Sequence, residues 1–520
     1  MNPARGYEII PLFKRWLGNA VVVGCLLWYI TTRIVTVERN TTTDDQQHQL
    51  TDLDGPRDGS LKSLATLLNN RQQLFRKWRD NEQDYVRFIR SIGPWILSPP
   101  SYPPSTDHPL PFQLPPWPEL DCNDTRYSQV LTGRRLDAPR VIVDFIPFGY
   151  DIDKLELRFY EYNDFVDAFV IYESPRTLSG LEKAMYFHKV STTPRFASFM
   201  AKVIYLSTAA ANDELQWNVN AVKQALDNGQ WFQTHSGSWA LEKMMRTEMV
   251  QRFVHLDAST SPVKASIVAK LRQENGSSGA SLGIQNDADE IITGTTLQHL
   301  RHCEIKSEAQ SGSIYMPCIS FKKNYHWMQK TSDLVECLHG GDITPATASL
   351  KAHLWRPGPY VWPLSTILQQ KSTFRYEKSD CVYHMGLGAA SHMSSAAEPA
   401  EYWLKRGGVN EQYFKGAIAP AIVEAGKREA ITPELIYRHT VLPWCPRGGE
   451  NKAAVHVSSL PLAQQVIVNA SIPRLARMYP GRFPFLLPGD NGDAHTAGLM
   501  APTGEKKWGE LCNLPGATMY

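Results

Sequence analysis

Arg140-Val-Ile-Val-Asp-Phe-Ile-Pro147 comes first; Leu155, Phe159, Tyr162 and Val166 follow at i, i+4, i+7 and i+11; Val166-Asp-Ala-Phe-Val-Ile-Tyr-Glu173 closes the stretch. Its reading decides the fold. The first run is almost continuously apolar, as a strand covered on both faces must be. The spaced residues line one stripe of a helix. The last run is β-branched and aromatic, which suits a second strand. Strand, helix and strand in so short a length form a βαβ unit. Downstream, Val203-Ile-Tyr-Leu206 reads as a third strand, and Trp239 to Phe253 as a helix with Leu241, Met244, Met245, Met249 and Phe253 on one side. The pattern predicts an α/β domain: a mostly parallel sheet with flanking helices, binding ligands at the carboxyl edge of its strands.

Upstream the character changes. From Pro94 to Pro118 ten of 25 residues are proline, so neither a helix nor a central strand can persist and an extended, semi-rigid spacer is expected. Residues 34–93 are polar, with Leu61, Leu64, Leu67, Leu68, Phe75 and Trp78 at helical steps; they read as a stalk whose helical patch offers a route to a homodimer. Trp16 to Thr32 holds no charged residue, Lys14 and Arg15 precede it, and Arg33 closes it. That is the pattern of a single signal-anchor helix of about 25 Å, with the N-terminus on the cytoplasmic side. Thr31 to Val35 makes a poor cleavage site, which argues against a removed signal peptide. The expected organisation is a cytoplasmic tail (1–15), a transmembrane anchor (16–33), a stalk (34–93), a Pro-rich linker (94–138) and one large domain (139–520), divided at residue 300 into two halves.

The 520 residues carry 54 Lys+Arg against 52 Asp+Glu, a formal charge of +2. Such a balance gives no basis for a nucleic-acid binder that neutralises phosphates. Four glycosylation sequons, at Asn40, Asn123, Asn275 and Asn469, all follow the anchor, consistent with a lumenal domain. Seven of eight cysteines would lie there too, where some should pair; an odd number leaves at least one over.

Asp-x-Asp pairs hold hard divalent cations well, because two carboxylates and a ligand's diphosphate oxygens fill the coordination sphere. Three are present: Asp52-x-Asp54, Asp151-x-Asp153 and Asp287-x-Asp289. The first lies in the polar stalk. The second is expected to cap the helix that starts near Lys154. The third follows several α/β elements and precedes an apolar stretch, so Asp287 and Asp289 are the candidate metal site.

Asp153-Lys-Leu-Glu156-Leu-Arg158, Val166-Asp-Ala-Phe-Val-Ile-Tyr-Glu173-Ser174, Ser179-Gly180, Tyr186-Phe187 and Asp287-Ala-Asp289-Glu290-Ile291 together resemble glycosyltransferase family 17, the β1,4-mannosyl-glycoprotein 4-β-N-acetylglucosaminyltransferases. Trp239, Glu242 and Arg246 are similar to that family's intervening helix. Ile292 stands where the family has proline, and Cys381-Val-Tyr-His384 only echoes its Trp-His-Cys-Ser element. The resemblance implies a GT-A-like nucleotide-diphospho-sugar fold. It also implies a divalent cation (Mn²⁺ or Mg²⁺), a UDP-sugar donor (UDP-N-acetylglucosamine), an N-glycan mannose as acceptor, and inverting transfer in a Golgi membrane. On that reading Glu173 and Ser174 meet the donor. Asp287, Asp289 and His384, with His392 competing for the last place, hold the cation. Glu290 joins Asp287 and Asp289 as catalytic, with Glu304, Glu336 and Asp342 as further candidates for the base. Glu156 and Arg158 read as a structural ion pair, and Trp327, Trp355, Tyr360 and Trp362 as core or acceptor-stacking aromatics. Three rivals stand beside it: a transferase of the same fold with another donor or acceptor, a non-catalytic lumenal glycan-binding protein, and a glycoside hydrolase with two facing carboxylates.

Overall fold

The structure, a computed structural model, describes residues 111–175, 184–207, 236–273, 280–310, 312–322, 324–329, 347–354, 358–371, 383–393, 454–483 and 486. The anchor at 16–33, the stalk and its helical patch, the first Asp-x-Asp pair, Glu336, Asp342 and Trp355 lie outside these residues. Among the described residues no helix is long and apolar enough to cross a membrane.

The predicted βαβ unit is present. Strand β2 (Ile142–Phe148) alternates its side chains between two cores. Ile142, Ile146 and Phe148 pack with Leu155 and Phe159 of helix α1 (Ile152–Tyr162). Val143 and Phe145 pack on the other face with Met245, Met249 and Phe253 of α3 (Ser236–His255). Each such aromatic or aliphatic side chain contributes about 1.5–3 kcal/mol by leaving water. Strand β3 (Ala168–Glu173) is buried along its whole length. Val166, placed on the helical stripe by its spacing, falls after the helix and packs in the turn between α1 and β3, where its N–H reaches Tyr162 O.

β2 sits inside a six-stranded sheet. Strands β3 and β4 (Val203–Ser207) flank it on one side, and β5 (Leu282–Ile284) on the other, all parallel. β11 (Tyr360–Pro363) then runs antiparallel to β5, and β8 (Ile314–Tyr315) antiparallel to β11. A second sheet, absent from the sequence-based expectation, orders β13 (Ala454–His456), β10 (Asn324–Gln329), β9 (Cys318–Lys322), β12 (Ala390–His392) and β6 (Glu290–Ile292). In it only the β9–β12 pair is parallel. Three of its strands are three residues long, too short for a periodic signal. β6 lies before residue 300 and its partner β12 well after it, so the two halves of the domain share one sheet rather than dividing there.

α1 is buried on every side, so its five charged residues need partners. Lys154 pairs with Asp151, and Arg195 with Asp153. Glu156 takes Arg195 (2.6 Å) and Arg482 (3.2 Å) rather than Arg158. Glu161 accepts the N–H groups of Gly294 (2.7 Å) and Arg474 (2.9 Å), serving the N-termini of α5 (Gly294–His302) and α8 (Arg474–Met478). The expected ion pair between Glu156 and Arg158 is therefore replaced by longer-range pairs.

The described part of the Pro-rich linker, from residue 111 on, lies against the domain instead of standing off it. Arg474 Nη1 donates to Pro115 O and the Tyr479 hydroxyl to Gln113 O. The Trp117 ring lies against Gly294, where any Cβ would collide with it, and beneath the Arg474 guanidinium. Proline carbonyls accept well and demand no partner for an N–H, so such a strap can be docked by side chains alone. Cys122 and Cys303 form a disulfide across 181 residues, and β1 (Leu131–Arg135) pairs with β7 (Cys303–Ile305). Cys318 keeps its thiol, buried in β9.

Candidate active site

After β5 the chain leaves the carboxyl edge of the parallel strands as Gln285-Asn286-Asp287-Ala288-Asp289 and enters β6 at Glu290. Asp287 and Asp289 thus occupy a turn between the two sheets. The turn closes on itself: Glu290 N donates to Asp287 O (3.1 Å), and Asp287 N to Glu290 Oε2 (3.3 Å). Arg158 Nη1 reaches both carbonyls, Asp287 O at 2.5 Å and Glu290 O at 3.1 Å.

Arg158 is itself fixed. Its Nε and Nη2 form a two-pronged pair with Asp144 at 2.8 and 2.6 Å, both side chains fully buried, and its guanidinium lies 4.9 Å from the Tyr162 ring centroid. Burial opposes the charge on Arg158, but the Asp144 carboxylate more than restores it, so the guanidinium stays protonated. The Tyr162 hydroxyl accepts Ile292 N at 2.7 Å. On the far side Met393 N donates to Asp289 O (3.0 Å), and Tyr360 N to Asn286 Oδ1 (3.2 Å). Asp144, the one charge inside the apolar run that defined β2, is the sequence signal for this anchor. Neither Asp144 nor its pairing was anticipated.

The two carboxylates of the turn differ. Asp289 is buried, and its Oδ2 lies 4.0 Å from Nε2 of buried His392, too far for a hydrogen bond. Asp287 is 36% exposed and forms an ion pair with Arg246, whose side chain is 2% exposed. Arg246 also pairs with Glu242 one helical turn earlier at 2.8 Å. Glu242 and Arg246, similar to residues of the family's intervening helix, have no role legible in the sequence; the fold lays Arg246 on the turn, with Glu242 behind it.

Two carboxylates and an imidazole suit a divalent cation such as Mn²⁺ in chemical type. The gap between Asp289 and His392 is about twice a metal–ligand bond length. No cluster of three or more His, Cys, Asp and Glu side chains converges in the manner of a metal cage among the described residues. Asp289 and His392 are the pair brought together, with Asp287 held aside by Arg246. His384 is placed differently: its Nδ1 contacts Met385 O (3.1 Å) and its backbone bridges to Tyr315.

Other candidates are redirected. Glu173 is fully buried and accepts Phe187 N (3.0 Å), His188 N (3.1 Å) and the Tyr205 hydroxyl (3.0 Å). Its carboxylate therefore holds the start of α2 (Tyr186–Val190) against β4; beside it Ser174 is buried too. The signal was ambiguous because a strand-end glutamate serves a ligand and a helix N-terminus equally well. Glu304 sits on β7, bonded to Arg134 (2.6 Å) and Thr132 (2.7 Å). Glu290 is fully buried and is used in closing the turn. Asp151 and Asp153 lie at the start of α1, but Asp151 makes no side-chain capping bond; cations take both carboxylates instead. Tyr360 is buried and Trp362 half-buried, and both pack in the core.

A sequence model described as glycosyltransferase family 17 matches residues 106–228. β-1,4-Mannosyl-glycoprotein 4-β-N-acetylglucosaminyltransferases of Rattus norvegicus and Homo sapiens are each 33% identical to this chain over 99 residues. The aligned part is 18% of this chain, and 18% and 19% of those proteins. The mouse protein of that name is 32% identical over 99 residues. The chain thus spans about a fifth of the length of the curated relatives it matches. The family match covers the strap and the strands up to β4, and stops before Asp287. Over that segment the chain resembles glycosyltransferase family 17, as its motifs indicated.

Proposed function

We propose that this chain is an inverting, cation-dependent glycosyltransferase that moves N-acetylglucosamine from UDP-N-acetylglucosamine to a mannose of an N-glycan in β1,4 linkage. The observation that carries the reading is the Asp287–Asp289 turn. It stands at the carboxyl edge of a parallel sheet, where open α/β folds take nucleotides, and Arg158 holds it by two carbonyls. The family resemblance and the relatives' names support the reaction class, donor and acceptor.

A divalent cation, when bound, would offset the negative charge that grows on the departing diphosphate. Asp289 and His392 would hold it from the protein side, with Asp287 as the outer carboxylate. Arg158 and Asp144 keep the turn's backbone fixed, so the carboxylates need not reorganise during reaction. His392 replaces His384 as the imidazole in this assignment. Activation of the mannose hydroxyl needs a carboxylate base; Glu290, Glu304, Glu336 and Asp342 are the candidates, of which Glu290 also closes the turn and Glu304 also bonds Arg134 and Thr132. The Cys122–Cys303 disulfide suits an oxidising lumen, in keeping with a type II Golgi membrane protein anchored by residues 16–33.

The test is UDP release by the full-length chain from several UDP-sugars with a mannose-bearing N-glycan, in Mn²⁺ and in EDTA. The expected result is release from UDP-N-acetylglucosamine that EDTA abolishes. Undiminished turnover in EDTA removes the cation from the mechanism. Preference for another UDP-sugar reassigns the donor, and no turnover with any pair favours a non-catalytic glycan-binding protein.

A further inference from the structure

We infer that Arg246 is a built-in counter-cation of the donor site: it holds Asp287 while the site is empty and prevents a divalent cation from binding there ahead of the nucleotide. The inference rests on the cation-dependent reading above and concerns the order in which the site fills.

The geometry is one-sided. Asp287 is the more exposed of the two turn carboxylates, the one a solvated ion meets first. One of its oxygens is taken by the Arg246 guanidinium. That guanidinium cannot swing into solvent at will: it is buried, and Glu242 grips it through Nε at 2.9 Å and Nη2 at 2.8 Å. α3 is packed against β2 and β3 through Met245, Met249 and Phe253, so the base of the Arg246 side chain is fixed as well. Asp289 is left facing His392.

A divalent ion arriving alone would therefore meet a fixed positive charge on the carboxylate it needs. Asp287 is partly open to water but the guanidinium is buried, so the repulsion is only partly screened. A nucleotide diphosphate changes the balance, since its oxygens can take the guanidinium while they also ligate the ion. Arg246 then has a second acceptor and Asp287 is released. Cation and nucleotide bind as a coupled pair, and by linkage each raises the affinity of the other by the same factor. A plain structural clasp between α3 and the turn would give no such coupling.

The experiment is an electron paramagnetic resonance titration of free Mn²⁺ with the full-length chain, without nucleotide. The forms compared are wild type, Arg246→Gln, Arg246→Lys and Arg246→Gln combined with Asp289→Asn. Arg246→Gln is expected to bind one Mn²⁺ on the order of tenfold more tightly than wild type, a usual size for such coupling. Arg246→Lys keeps the charge and stays with wild type. The added Asp289→Asn change abolishes the gain, which places it at this turn. A merely structural Arg246 predicts the opposite sign, because loosening the turn weakens binding.

Equal Mn²⁺ affinity in wild type and Arg246→Gln, or weaker binding in the variant, overturns the inference and leaves the cation reading intact. The wild-type titration stands even where a variant does not fold: saturation without nucleotide at a Kd below about 10 μM overturns it too. Absence of Mn²⁺ binding in every form, with UDP present as well, overturns the inference together with the cation reading.

Discussion

Asp151-x-Asp153 and Asp287-x-Asp289 leave the same edge of the same sheet, because β2 and β5 are hydrogen-bonded parallel neighbours. The first pair follows β2 and starts α1; the second follows β5 and crosses to β6. In the first, both carboxylates are buried and taken by Lys154 and Arg195, cations anchored within the same packed layer. In the second, Asp287 is partly open and Asp289 faces an imidazole it does not bond. The motif and the sheet edge are shared, so neither makes a site. What separates them is the setting: both carboxylates of the first pair are buried against cations of the packed layer, whereas in the second only Asp287 has an ion pair, with Arg246, and keeps a solvent-facing side, while Asp289 lies beside His392.

The strongest way to break this contrast is to remove what holds the second turn in shape. Asp144→Asn leaves Arg158 as a buried guanidinium whose carboxylate is gone, and a broken buried pair costs about 3–5 kcal/mol. Urea unfolding should show a loss of that size; a change under about 1 kcal/mol would mean that Arg158 is anchored without Asp144.

Next comes the direct exchange between the two pairs. Asp289→Asn should lower UDP-sugar turnover about 100-fold or more while the urea midpoint stays near that of wild type. Asp153→Asn should do the reverse: turnover close to wild type, and about 2 kcal/mol less stability from an Arg195 that keeps Glu156 but loses its Asp153 carboxylate. If both variants lose activity equally, the two pairs form one extended site and the comparison fails.

The smallest effect belongs to a control at the opposite edge of the sheet. Asp167, just before β3, pairs with Arg301 (2.7 Å) and Lys270 (2.5 Å) and accepts Ile142 N (3.0 Å). Burial pushes its carboxyl up, but the bonds and charges of Arg301 and Lys270 outweigh it and hold the group below the ordinary carboxylate range. A depressed folded pKa gives stability that is present above the unfolded value of about 3.9 and is lost as pH falls through the folded one. Asp167→Asn should therefore cost about 1 kcal/mol at neutral pH. The gap to wild type should close below about pH 4 in urea midpoints measured across pH. A gap that persists at low pH assigns the cost to packing instead.

Much of the first sheet was legible because its strands carry their own pattern. β3 and β4 hold continuous runs of four or more apolar or β-branched residues, β2 is broken only by Asp144, and α3 shows its buried methionines at helical spacing. The second sheet was not legible, since β6 and β12 have three residues each and acquire meaning only by pairing across about a hundred positions. The strap was misread for a related reason: proline density reports that a segment makes no helix, and says nothing about what docks on it. At the site, the pattern of Asp287 and Asp289 was visible, while their anchor Arg158–Asp144 and their neighbour Arg246 were not. Each joins residues from distant segments whose spacing carries no period.

By itself, then, the sequence determined the βαβ core, the carboxylate pair after β5 and the resemblance to glycosyltransferase family 17, because these are set by local periodicity and contiguous motifs. Only the tertiary structure decided which acids are satisfied. It turned Glu173 inward to α2, gave Asp151 and Asp153 to buried cations, set His392 rather than His384 beside Asp289, and laid Arg246 on Asp287. Charge satisfaction depends on distance through space in a poorly solvated interior, and that distance exists only once the chain has folded.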